Sequence, residues 1–203
     1  MDCNCPAPSA LTAIIAEACG VNLKQIQKLA FQRSGDNFDT VLTNDIKLLA
    51  DWQTKISAVD DTKIVITPLI GGDPTIEPGE AITEGGGDNS TLNGVEEVEG
   101  VNPSSFSCIF KSLSSTVEAQ LKALNCEKNL VVYFFLQGGT IACAEIVATE
   151  EEGFPVQSVF TSDRGNNGFG TKDYVNFSFQ LAEGWSDSLV IITPTDFNPL
   201  TDL

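Results

Sequence analysis

Apolar and polar residues alternate most regularly between Asp173 and Ala182. Val175, Phe177, Phe179 and Leu181 fall on one side there, and Tyr174, Asn176, Ser178 and Gln180 on the other. A period of two over that length predicts a half-buried strand. Ser104 to Leu113 repeats the pattern, with Phe106, Cys108 and Phe110 on one side. Gln25 to Arg33 predicts another strand. Gln27, Leu29, Phe31 and Arg33 share one face, Ile26, Lys28, Ala30 and Gln32 the other, and Ser34-Gly35-Asp36-Asn37 ends it. Leu130 to Leu136 is apolar without a break, Gly138-Gly139 turns the chain, and Thr140 to Ala148 returns as a hairpin partner. Lys63 to Ile70, Pro155 to Asp163 and Ser188 to Thr193 add three more strands, and Pro68 places the far end of the first at a sheet edge.

Two segments carry the helical period instead. Asn44 to Ala58 places Ile46, Leu49, Trp52 and Ile56 on one stripe, with Asn44 as N-cap and Asp45 near the positive end of the helix dipole. Ser115-Thr116-Val117-Glu118 has the form of a capping box, and Val117, Leu121 and Leu124 mark one face of the helix that follows. Consecutive strands linked by short turns favour antiparallel pairing. The fold class is therefore mainly β (α+β), an antiparallel β-sandwich or part-barrel flanked by two helices.

One stretch fits neither period. Between Lys63 and Lys111 there is no Lys or Arg, yet Glu77, Glu80, Glu84, Asp88, Glu96, Glu97 and Glu99 lie there among eight glycines. Too few apolar side chains are present to offset the entropy of ordering a core. An extended acidic loop is expected at about residues 71–100, with short extended pieces at Ala81–Thr83 and Val95–Val98 forming a flexible hairpin. Residues 1–20 form an N-terminal arm, since Pro6 and Pro8 oppose regular structure, and 21–203 a single β-rich domain.

Composition narrows the chemistry. The 203-residue chain has a net charge of −17, which repels nucleic acid phosphates. It has no histidine, which removes Ser-His-Asp and Cys-His catalysis and His-ligated zinc. No nucleophile–base set is placed by a motif, so no catalytic residue is assigned and no enzyme is expected. Nor is a cofactor implied. Gly165, Gly168 and Gly170 lie in a loop between strands, without the GxGxxG order or the helix that a dinucleotide needs. The acidic loop lacks the DxDxDG spacing of a calcium cage. Cys3, Cys5 and Cys19 contain no CxxC pair and make a weak metal set, whereas Cys108 and Cys143 sit in strand patterns as small core residues. No signal peptide or membrane span is expected, and the thiols are expected to be free. Glu150-Glu151-Glu152-Gly153 is expected to be a solvated turn.

Phe106-Ser107-Cys108-Ile109-Phe110, the capped helix Ser115 to Leu124, Val131 to Leu136 and the late strand ending Asn176-Phe177-Ser178-Phe179 occur in a characteristic order. In this order the region from about Asn102 to Ala182 resembles the tail tube (major tail) proteins of long-tailed bacteriophages and related contractile particles. The resemblance rests on the order of elements and covers under half the chain. It implies a virion protein, assembled in the host cytoplasm, whose hexameric rings stack as a tube through which DNA passes without specific binding. Its partners would be copies of itself and other virion proteins. A long loop contacts the neighbouring ring in that family, so Thr67 to Gly100 would be that loop. Glu77, Glu80, Glu84, Asp88, Glu96, Glu97 and Glu99 would then be inter-ring contact residues, and Met1 to Gly20 a stacking arm. Six copies would carry a charge of about −100, felt within about 8–10 Å at physiological salt. A capsid decoration, neck or fibre protein is the alternative within the structural class. A non-enzymatic carbohydrate-binding module is the alternative outside it, with Trp185 and Phe169 as the loop aromatics that would hold a sugar.

Overall fold

The structure is a computed structural model and describes residues 14, 22–23, 25–41 and 44–203. The expected arm over residues 1–20, with Cys3, Cys5 and Cys19, lies almost entirely outside the described residues. In chain order the strands are β1 (Ile26–Arg33), β2 (Phe38–Asp39), β3 (Val65–Ile66), β4 (Thr75–Glu77), β5 (Ala81–Glu84), β6 (Glu97–Val101), β7 (Ser104–Lys111), β8 (Leu130–Leu136), β9 (Thr140–Val147), β10 (Glu150–Glu152), β11 (Phe154–Thr161), β12 (Tyr174–Leu181) and β13 (Leu189–Ile192). Helix α1 (Leu49–Ser57) follows β2, and α2 (Ser115–Ala123) follows β7. The fold is mainly antiparallel β, a curled sheet flanked by two helices, as the strand periods predicted.

Strand β8 organises the sheet because all seven of its side chains are buried. Its even-numbered residues join one apolar cluster with Phe31, Phe106, Phe154, Phe177 and Phe179. Its odd-numbered residues join a second with Phe38, Trp52 and Ile64. Along one edge β8 pairs with β1; along the other it is shared between β9 at Phe134–Leu136 and β11 at Leu130–Val132. The sheet divides there. One branch runs β11–β12–β7–β4, the other through β9 to β10 and β13.

The first branch curls towards β1. After β3 the chain stays beside β1, with the Thr67 N–H donating to the Leu29 carbonyl and that of Ile70 to Gln27, both at 2.9 Å. The Gly71 N–H then donates to the Ile109 carbonyl of β7 at 2.8 Å. The seam between β1 and β7 is bridged in this way, and a part-barrel filled with phenylalanine results. Phe179 stacks on Phe106 at 4.5 Å between ring centroids, and both approach Phe134. Each fully buried ring contributes about 1.5–3 kcal/mol of transfer free energy.

Helix α1 covers the outer face of β8 with Trp52, whose indole N–H donates to the Ile46 carbonyl at 2.8 Å. It begins later than the sequence predicts. Asn44 pairs with Asp39 in a β-bridge instead of capping, and Asp45 closes a turn through the Lys47 N–H. The donor at the helix start, the Leu49 N–H, finds Asp196 of the C-terminal segment at 3.0 Å. The start of α2 also shifts by one residue: Ser114 accepts the Val117 N–H, so Ser115 and Glu118 do not form a capping box. Leu121 of α2 enters the part-barrel core, with Val117 and Leu124 packed against it.

Two further expectations are overturned. A register shift between Ile26 and Lys28 brings Ile26 to the same cluster as Leu29 and Phe31, because an extra residue in a ladder reverses the facing of what precedes it. Glu150–Glu152 is strand β10, hydrogen-bonded between β2 and β9, and Glu151 is 7 % exposed.

Candidate assembly surface

The acidic segment forms a projecting two-stranded ribbon. Among the described residues its β5 and β6 strands pair only with each other, and nearly all their side chains are exposed. The ribbon nevertheless continues the body. Glu77 lies opposite Ser105 in the β4–β7 ladder, and Ala81 lies opposite Val101 in the β5–β6 ladder. Both pairs belong to a single register. It is interrupted where Pro78 and Pro103 supply no N–H, and is held across the gap by the Asn102 N–H donating to the Glu80 carbonyl at 2.9 Å. Gly79 is required at this joint, since a Cβ there would lie 1.6 Å from the Asn102 carbonyl oxygen.

Residues directly opposite share a face, so the register sorts the side chains. Ala81, Thr83, Val98 and Val101 occupy one face, while Ile82, Glu84 and Glu97 occupy the other. The shift after Ile82 leaves Glu99 as the extra residue, and its side chain hydrogen-bonds that of Glu84. That hydrogen bond, and then the charge of Glu99, raises the Glu84 pKa above the usual carboxylate range. At the tip, Asp88 accepts the Ser90 hydroxyl and then the Ser90 N–H at 2.9 Å, and these contacts lower its pKa. Of the expected contact acids, Glu84, Glu97 and Glu99 come together on the ribbon. Glu77 belongs to β4 on the body, Glu80 to the joint, and Asp88 and Glu96 to the tip segment. All seven are exposed.

The opposite end of β7 carries a feature of contrasting charge. Lys111 faces outward across from Tyr174, and Ile109 across from Asn176. Together with Lys172 they line an open groove of about 600 Å³. Two glycines pack closely against these β7 residues. A Cβ on Gly71 would come within 2.9 Å of the Lys111 side chain, and one on Gly72 within 3.2 Å of Ile109. The loop beside the groove is anchored by Arg164, which donates to Glu118 of α2 at 2.8 Å and to the Leu113 carbonyl at 2.9 Å. Its hydrogen bonds with Lys122 and Arg164 lower the Glu118 pKa. Phe169 stands fully exposed on the same loop.

The remaining candidates resolve differently. Trp185 packs edge-on against Phe154 at 5.2 Å and against Phe134 at 6.4 Å, so its ring belongs to the barrel wall. Cys108 and Cys143 are buried core residues, and burial pushes the Cys108 thiol up to about 12 and that of Cys143 higher. Neither is poised as a thiolate at neutral pH. Among the described residues no three His, Cys, Asp or Glu side chains converge as a metal set, and no helix is long and apolar enough to cross a membrane. The groove lysines were missed in the sequence. The available signal was that Lys111 is the first cation after the acidic run and Lys172 follows a glycine-rich loop.

No family model and no curated protein matches the chain. Three solved structures show limited likeness. A chain from the tail of an empty gene transfer agent particle, refined with C6 helical symmetry, is 12 % identical, with 63 % of this chain and 85 % of that one covered and a TM-score of 0.33. A chain from the native gene transfer agent virion is 13 % identical, with 62 % and 88 % covered and a TM-score of 0.34. A chain from the six-fold symmetrised baseplate of the anti-feeding prophage is 10 % identical, with 88 % and 98 % covered and a TM-score of 0.35.

Proposed function

We propose that this chain is a structural protein that self-assembles through its projecting ribbon, building rings that stack as a virion tail tube through which DNA passes. The observation that carries the reading is the ribbon itself. Among the described residues it exposes Ile82, Leu92, Val95, Val98 and Val101 with no covering element, on a strand pair whose outer edges no other described strand occupies. An isolated two-stranded hairpin is marginal in water, so contact with another chain would stabilise it. The strongly negative net charge suits a conduit, because it repels DNA phosphates. The seven exposed acids, Glu77 to Glu99, would lie at or beside the contact between rings. A carbohydrate-binding role has less support, because Trp185 is engaged in the core and Phe169 alone remains free.

Negative-stain electron microscopy of the purified protein across a concentration series tests this. Rings or hollow tubes that grow with concentration are expected. Uniform monomeric particles at every concentration would overturn the assembly reading.

A further inference from the structure

We propose that the ribbon of one copy docks in the Ile109–Lys111–Lys172 groove of a second copy, so that copies add head to tail. This rests on the assembly reading above and names the surface that receives the ribbon.

Three observations converge on the groove. The first is its charge. Arg33 is engaged by Asp61 and Glu127, Lys55 by Asp36, Lys122 by Glu118 and Asp163, and Arg164 by Glu118, whereas Lys47, Lys63 and Lys128 form no ion pair among the described residues but do not line the groove. Lys111 and Lys172 have no carboxylate at ion-pairing distance among the described residues. The neighbouring Asp173 is directed to Arg164 and Asn166. What sets Lys111 and Lys172 apart is that both line one groove, which matches in charge the Glu84 and Glu97 face of the ribbon.

The second is shape. Ile109 lines the groove between the lysines and Asn176, and offers an apolar contact for Ile82, the apolar residue on the acidic face of the ribbon. Phe169, in the chain between the lining residues Asn167 and Thr171, is a fully exposed aromatic that a docked ribbon would cover.

The third is position. The ribbon leaves β7 at Ser104, and the groove lies at Lys111, the other end of the same eight-residue strand. That separation is about 24 Å at the usual rise of a strand. Donor and acceptor at opposite ends of one element make a heterologous contact, which repeats without closing when the rotation between copies is small. Growth along the strand direction follows.

Two complementary variants test the inference. K111E/K172E keeps the ribbon and reverses the groove. A second variant keeps the groove and replaces residues 81–101 by Asn-Gly, closing the chain between Glu80 and Asn102. Neither is expected to add to itself, whereas an equimolar mixture should sediment as a one-to-one pair. Reversal of the groove should raise the concentration needed for assembly about 10-fold or more, and E84K/E97K placed in the same chain should restore it. If the mixture and the E84K/E97K chain both fail to associate where the wild type assembles, the receiving surface lies elsewhere and the assembly reading stands. A wild type that remains monomeric throughout overturns both.

Discussion

Removing the ribbon should leave the barrel folded and abolish association. The Asn-Gly replacement of residues 81–101 uses a hydrogen bond already present, the Asn102 N–H to the Glu80 carbonyl at 2.9 Å. That bond closes a two-residue β-turn, and Asn-Gly is the sequence that such a turn favours in a hairpin. No residue from 81 to 101 belongs to either apolar cluster. The transfer term lost on deletion is therefore near zero for the body. Shortening the connection from 21 residues to two is more than three halvings, and each doubling of a loop is worth about 0.6 kcal/mol of closure entropy, so the upper bound on the gain is about 2 kcal/mol. For a domain of this size each kcal/mol moves Tm by about 2–4 °C, so Tm should stay within about 8 °C of the wild type.

Thermal unfolding followed by circular dichroism reads the first half, and sedimentation velocity the second. A melt lowered by 15 °C or more, well beyond the bound of about 8 °C, would refute the view that the ribbon is energetically separate from the barrel. A ribbon-less protein that still forms rings or tubes would refute its role as the contact.

Phe179→Ala should cost about 3–5 kcal/mol, because the ring is buried and packs on Phe106, Phe31, Phe177 and Phe134. Urea unfolding measures it, and a loss below about 1 kcal/mol would mean that the barrel interior is looser than these ring contacts require. Glu151→Gln should stabilise the protein at neutral pH and leave it unchanged near pH 3. Burial raises the folded-state pKa of Glu151 above its unfolded value, so the wild type loses stability as pH rises through the unfolded value and the glutamine variant does not. Equal melting temperatures for the two proteins at pH 7 would show that the Glu151 charge is compensated, with Lys47 the nearby cation that would do so.

The central strands were legible because burial on one face writes a period of two into β7 and β12, and burial on both faces writes an unbroken apolar run into β8. What was illegible depended on distant partners. Asn44 has the chemistry of a cap, but its backbone is committed to Asp39, and the helix takes its terminal acceptor from Asp196, far along the chain. Three consecutive glutamates suggested a solvated turn, yet β10 is a strand because β2 and β9 supply hydrogen bonds on both sides. A hairpin was expected within the acidic segment, although its strands are Ala81–Glu84 and Glu97–Val101 and its register continues into the body. Of the acids from Glu77 to Glu99, Glu84, Glu97 and Glu99 come together on the ribbon, which the sequence alone does not sort from the others. The groove was invisible because Lys111 and Lys172 meet only once β7 and β12 pair.

Hydrogen exchange of the amides in β5 and β6, measured in dilute and in assembled protein, tests the ribbon as the joint most directly. Unpaired with the body, these strands should exchange rapidly in the dilute protein. On assembly, protection should appear at residues 81–84 and 97–101 and, with the groove as receiver, at 109–111 and 167–174. Assembly that leaves the ribbon exchanging as fast as before would contradict its role as the joint.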